Sequence, residues 1–113
     1  MNASYLWLIY IMLNYLAEFL GTAVFFYVIL ATGNAILIGI TLAVVILFIQ
    51  KVSGGMVNST LTIILAVAGK IPPMTVLPYI VAQILGGLTA LEIYKRWKPS
   101  ASLKNDLSFT LFK

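Results

Sequence analysis

From Ala3 to Ala31 the chain is almost unbroken hydrocarbon, with Asn14 and Glu18 as its chief polar interruptions. A run of this length dictates the solvent. About 20 helical residues cross the ~30 Å hydrocarbon core of a bilayer, and an apolar stretch of 18 or more reads as a span. A soluble domain needs a polar shell, and a 113-residue chain that is 62% hydrophobic and 9% charged cannot build one. The expected class is an all-α, multi-pass membrane protein whose first partner is the lipid bilayer.

Punctuation divides the rest. Thr32-Gly33-Asn34 marks a tight turn, since glycine and asparagine tolerate left-handed backbone. A second apolar run ends at Gln50-Lys51, and a third extends from Met74 to Tyr94. The predicted spans are 4–31, 35–50 and 74–94 in a membrane domain over 1–94, followed by a basic polar tail over 95–113. The first run lacks a basic leading segment and is too long for a signal-peptide core, so it is expected to be a retained span.

Between the second and third spans lies Ser53-Gly54-Gly55-Met56-Val57-Asn58-Ser59-Thr60, then a short apolar stretch closed by Gly69-Lys70-Ile71-Pro72-Pro73. Paired glycines break a helix, Asn58 is a good N-cap, and the two prolines stop the short helix that Asn58 begins. The predicted half-helix over 58–69 is too short to cross a bilayer. Irregular backbone at membrane depth is tolerated only where protein buries it or water reaches it. Two readings stay open here: a re-entrant half-helix, or an ordinary loop helix at the surface.

Charge and composition exclude several functions. The net charge is +4, yet five of the seven basic residues are Lys95, Arg96, Lys98, Lys104 and Lys113. A basic cluster just past a span is a topology signal rather than a nucleic-acid surface, so no nucleic-acid partner is expected. The chain has no cysteine and no histidine. No metal site, no cofactor and no enzyme activity are expected, since no nucleophile–base pair or phosphate loop is visible.

Three motifs in order carry a resemblance. Ala17-Glu18-Phe19-Leu20-Gly21-Thr22, the Ser53–Thr62 loop and Ala82-Gln83-Ile84-Leu85-Gly86-Gly87 resemble the first helix, the signature loop and the third helix of the major intrinsic proteins, the aquaporins and glycerol facilitators. The resemblance covers roughly residues 15 to 95 and implies an aquaporin-like half repeat: three transmembrane helices plus one re-entrant half-helix. The chain departs from the pattern at the signature. Asn58-Ser59-Thr60 stands where the family has Asn-Pro-Ala, and Met56 where it has histidine.

The resemblance also implies roles. Asn58 would cap the half-helix and face the pore, while the carbonyls of Gly54, Gly55, Met56 and Val57 would form a ladder of acceptors. A half-helix aims the positive end of its dipole at the midplane and opposes cations. Asn58 as a mere cap in a plugged fold is the equal alternative. Ser59 can replace the proline but returns an N–H, and Thr60 is bulkier than alanine. Ile38 occupies the family's aromatic selectivity position on the second helix.

Glu18 lies inside a span, where a charge costs at least ~2.5 kcal/mol and must face protein or water; the resemblance implies that it braces the loop, with a proton relay as the lesser alternative, and that Gln83 hydrogen-bonds the loop too. Glu92 is expected in an interfacial ion pair with Lys95 or Arg96. Gly21, Gly39, Gly86 and Gly87 read as close-packing sites between helices. Of the two glycosylation-like triplets, Asn2-Ala3-Ser4 and Asn58-Ser59-Thr60, the second falls at the midplane and reads as accidental.

A pore of this family lies between two inverted repeats. The expected function is therefore a channel half, passing water or small neutral solutes after pairing in an antiparallel homo-oligomer or with another membrane subunit. The rival is a non-conducting structural subunit of an organelle complex or virion membrane. Lys51 and Lys70 on the loop side face five basic residues on the other, a count that favours a cytoplasmic C-terminus. That is the orientation of a second family repeat, and it weighs against equal insertion both ways.

Overall fold

Three long helices and one short one arise from this punctuation. The structure, a computed structural model, describes residues 2–99. Helix α1 is Ala3–Thr32, capped by the Asn2 side chain, which accepts from the N–H groups of Ser4 and Tyr5. At 1.5 Å per residue, thirty residues make about 45 Å, longer than the hydrocarbon core. Gly33, at φ 57°, ends it in the left-handed region. Asn34 then caps α2, Ala35–Ser53, by accepting from Leu37 N–H at 3.0 Å.

Helix α2 runs to Ser53 rather than stopping at 50. Gln50 and Lys51 are polar but good helix formers, and the break waits for Gly54 at φ 93°. Helix α3 is Ser59–Val67, tighter than the expected 58–69: Asn58 is extended and acts as the cap. Gly69, at φ 75°, turns the chain away from the helix, and Lys70 N–H closes the turn on the Leu65 carbonyl. A 3₁₀ turn at Pro73–Thr75 leads into α4, Val76–Arg96. Among the described residues three helices are long and apolar enough to cross a membrane, and α3, at nine residues, spans about half of it. Fold and hydropathy together make this an integral membrane protein. The tail expected over 95–113 lies outside the described residues beyond Pro99.

Helix α1 is the hub. It packs along α4 on one side and against α2 on the other, and α3 rests on α4. Two glycines set these approaches. At Gly86 an added Cβ would run into the Phe19 carbonyl oxygen, with Thr22 Cβ at 3.1 Å and Ala23 N at 3.2 Å, so α4 meets α1 backbone to backbone. At Gly21 it would meet Ile49 Cδ1 at 2.8 Å and Val45 Cγ1 at 3.0 Å, which seats α2. Ala82 and Ala90 flank Gly86 on the same buried stripe.

The other two glycines correct the expectation. An added Cβ at Gly39 would meet nothing within 4 Å, and at Gly87 only Phe26, at 3.9 Å, an ordinary contact. Gly39 is exposed and carries no packing role among the described residues. Gly87 is one residue off the stripe that faces α1.

Candidate functional site

An ionisable group buried in a membrane domain must find donors. Glu18 is fully buried, and its carboxylate accepts four hydrogen bonds. Oε2 takes Ser53 Oγ at 2.6 Å and Met56 N at 3.2 Å; Oε1 takes Val57 N at 2.8 Å and Gln83 Nε2 at 2.8 Å. One side chain of α1 thus ties together the end of α2, the re-entrant loop and α4. Gln83 extends the cluster: Nε2 also donates to Thr62 Oγ1 at 3.0 Å, and Oε1 accepts from Ser59 Oγ at 3.1 Å. Thr62, buried on the inner face of α3, donates to the Asn58 carbonyl at 2.8 Å. The Tyr79 hydroxyl, one helical turn before Gln83, donates to the Ser53 carbonyl at 3.0 Å and its ring stacks edge-on against Tyr15.

This bonding sorts the loop backbone by polarity. The N–H groups of Gly55, Met56 and Val57 are spent on Ser53 Oγ and Glu18. The carbonyls of Gly54, Gly55, Met56 and Val57 accept no hydrogen bond from any described residue. The curl needs left-handed backbone at three places: Gly54 at 93°, Gly55 at 67° and Val57 at 54°. Glycine takes that conformation freely. For a β-branched residue it costs about 1–3 kcal/mol and persists only where the surroundings enforce it; the Glu18 bond to Val57 N–H supplies the constraint.

Asn58 ends the curl. Its Oδ1 accepts from Thr60 N at 2.8 Å and Leu61 N at 3.1 Å, which leaves its amide nitrogen without a partner among the described residues. The two ends of the loop border different cavities. Val57, Asn58 and Ser59 border a shallow cavity between α1 and α4 of about 470 Å³, with Thr22 and Gln83 in its wall. Met56 and Gly54 border a different cavity at the loop end of the bundle.

A carboxylate on the first helix, a glycine-rich loop curled onto it, and a half-helix capped by asparagine now stand in one arrangement. A profile of the major intrinsic protein family matches residues 8–112 of the chain. The chain belongs to the major intrinsic protein family. Over 61 residues it is 36% identical to Aquaporin Z of Brucella melitensis biotype 1, a stretch that is 54% of this chain and 27% of that protein. It is 33% identical over 61 residues to Aquaporin Z of Photorhabdus laumondii subsp. laumondii, covering 54% of this chain and 26% of that one. The matched stretch thus spans about a quarter of the length of these curated relatives. No solved structure matches. The fold is that of an aquaporin-like half repeat.

Within this major intrinsic protein, the residues singled out from sequence separate into groups. Glu18, Gly54, Gly55, Met56, Val57, Asn58, Ser59 and Gln83 converge on one cluster. Thr60, exposed, enters it only through its backbone N–H. Ile38, in the first turn of α2, stands apart: the loop lies at that helix's other end, beyond Ser53, and Ile38 lines neither loop cavity. Glu92 pairs with Lys95 at 3.1 Å, with both side chains largely exposed; such pairs contribute little stability.

Sequence reasoning misses Ser53, Thr62 and Tyr79 as members of the network. Tyr79 precedes Gln83 by four residues, one turn on the same helix face, and that spacing is the signal that points to it. Thr22 is missed too. Its Oγ1 is buried without a partner among the described residues, beside the close approach of Gly86. No group of three or more metal-ligating side chains gathers among the described residues.

Proposed function

We propose that this three-span unit supplies one half of a passive pore for water or small neutral solutes, completed by a second such unit in inverted orientation. The supporting observation is the polarity of the loop: its N–H groups are consumed by Glu18 and Ser53, while four consecutive carbonyls and the Asn58 amide nitrogen have no partner among the described residues. A row of acceptors ending in a donor suits molecules that both give and take hydrogen bonds. The α3 dipole directs its positive end to the same place and opposes cations. The partner unit is a second copy of the chain or another membrane subunit, and the basic residues favour a cytoplasmic C-terminus.

A second reading rests on a specific departure. Ser59 and Thr60 in place of proline and alanine, and Met56 in place of histidine, fit a retained fold that no longer conducts and serves a larger membrane assembly as a structural subunit.

Osmotic shrinkage of proteoliposomes separates the two. A conducting unit gives water permeability above that of protein-free vesicles, and Asn58→Leu abolishes it with helix content intact. Vesicles that stay tight around well-folded protein would rule out the pore. Cross-linking between helix ends identifies whether paired units are antiparallel.

A further inference from the structure

The cavity at the loop end of the bundle meets the re-entrant loop at Gly54 and Met56, and Asn58 does not line it. Its volume is about 600 Å³, within the range of roughly 300–1,000 Å³ usual for small-molecule sites. It lies where α1 begins, α2 ends and α4 begins, with Trp7, Tyr10, Gln50 and Lys51 among its walls. Helix ends bearing tryptophan, tyrosine and lysine sit at head-group depth.

The polar groups around it divide into engaged and free. Asn14 lies between the carbonyls of Val52 and Tyr10, which its amide nitrogen serves. Tyr79 is held by Ser53, and the Thr75 hydroxyl donates to the Pro72 carbonyl. The side chains of Lys51 and Gln50 and the hydroxyls of Tyr10 and Tyr15 make no hydrogen bond or ion pair with any described residue. All four can donate, and no carboxylate lines the cavity. The rest of the wall is mostly apolar, with Ile11, Val52, Met56 and Met74.

We infer that this cavity binds the phosphate-bearing head of an anionic membrane phospholipid. The phosphodiester accepts from Lys51 and its uncharged neighbours, and the acyl chain leaves along the apolar wall. A zwitterionic head would bring its own cation against Lys51, which makes the site selective for net negative charge. Recognition of this kind does not depend on whether the chain conducts.

The full chain in neutral detergent is titrated with phosphatidylglycerol or phosphatidylcholine of matched acyl chains, and retained lipid is counted by native mass spectrometry. Phosphatidylglycerol is expected to be held about fivefold more tightly, the effect of one basic residue near a phosphate. Lys51→Gln removes the preference. Arg96→Gln, at the opposite end of the bundle, leaves it intact. Val52→Trp, which fills the cavity from an exposed position, lowers retention of both lipids. Equal retention of the two lipids overturns the site, as does a loss on Arg96→Gln equal to that on Lys51→Gln. Displacement of lipid by excess inorganic phosphate overturns the lipid assignment in favour of a soluble anion.

Discussion

Gln83 and Glu18, 65 positions apart in sequence, are joined by a 2.8 Å hydrogen bond in the buried centre of the bundle. Their contact fixes α4 to α1 and, through the other oxygens and donors of the same two side chains, fixes the loop and α3 to both. The polar network is therefore a tertiary clasp as well as a local brace.

Replacing Glu18 by Gln keeps the size and removes the charge. The new amide nitrogen faces donors, so at least one of Met56, Val57 or Gln83 loses its acceptor. Hydrogen bonds to a charged group contribute about 1.5–3 kcal/mol each. Thermal unfolding in detergent should show a loss of at least about 2 kcal/mol. An unchanged midpoint would mean the carboxylate is not the clasp.

Tyr79→Phe removes a single donor, the one serving the Ser53 carbonyl. The expected loss is about 1 kcal/mol, smaller than for Glu18→Gln. A larger loss would show that the hydroxyl does more than serve one carbonyl, and Tyr79→Leu would add the contribution of the ring.

Gly86 and Gly39 make a matched pair. Gly86→Val forces the α1 backbone away and should cost about 3 kcal/mol or more, at the upper end of overpacking penalties. Gly39→Ala meets open space and should be neutral or slightly stabilising in the isolated chain, since alanine is the better helix former. Equal effects at the two sites would contradict the close approach at Gly86.

Ser59→Pro restores the residue that the family resemblance leads one to expect. The site accepts it: Ser59 is the first residue of α3, and Asn58 is already extended at φ −144° and ψ 121°, as a residue before proline must be. The ring limits the unfolded chain by roughly 0.4–1 kcal/mol while the Ser59–Gln83 hydrogen bond, worth about 1 kcal/mol, is lost. Stability should stay within about 1 kcal/mol of the parent. Loss of the folded state would show that the half-helix start differs from this geometry.

Much of this arrangement is readable from sequence because membrane helices make polar residues conspicuous. Glu18 and Gln83 stand out in apolar runs, and Gly54-Gly55 with Asn58 mark a break and a cap. Ser53, Thr62 and Tyr79 do not stand out, since serine, threonine and tyrosine occur in spans without tertiary partners. Their roles depend on how the loop curls, which Val57 in a left-handed conformation does not announce. Gly39 fails for a related reason: glycine identity says that a close approach is allowed, not that a neighbour is there. The end of α2 is expected too early because Gln50 and Lys51 signal the membrane boundary, whereas backbone geometry, through Gly54, sets the helix boundary.

The clasp also imposes an order of assembly. Helices α1 and α2 can form a hairpin around Gly21 as soon as both are made. The re-entrant segment cannot settle then, because Gln83 and Tyr79 lie on α4, which follows it in the chain. Until α4 arrives, Glu18 lacks one of its four donors and Thr62 has no side-chain partner, so the loop is incompletely held. Docking of α4 is therefore the step that closes the network.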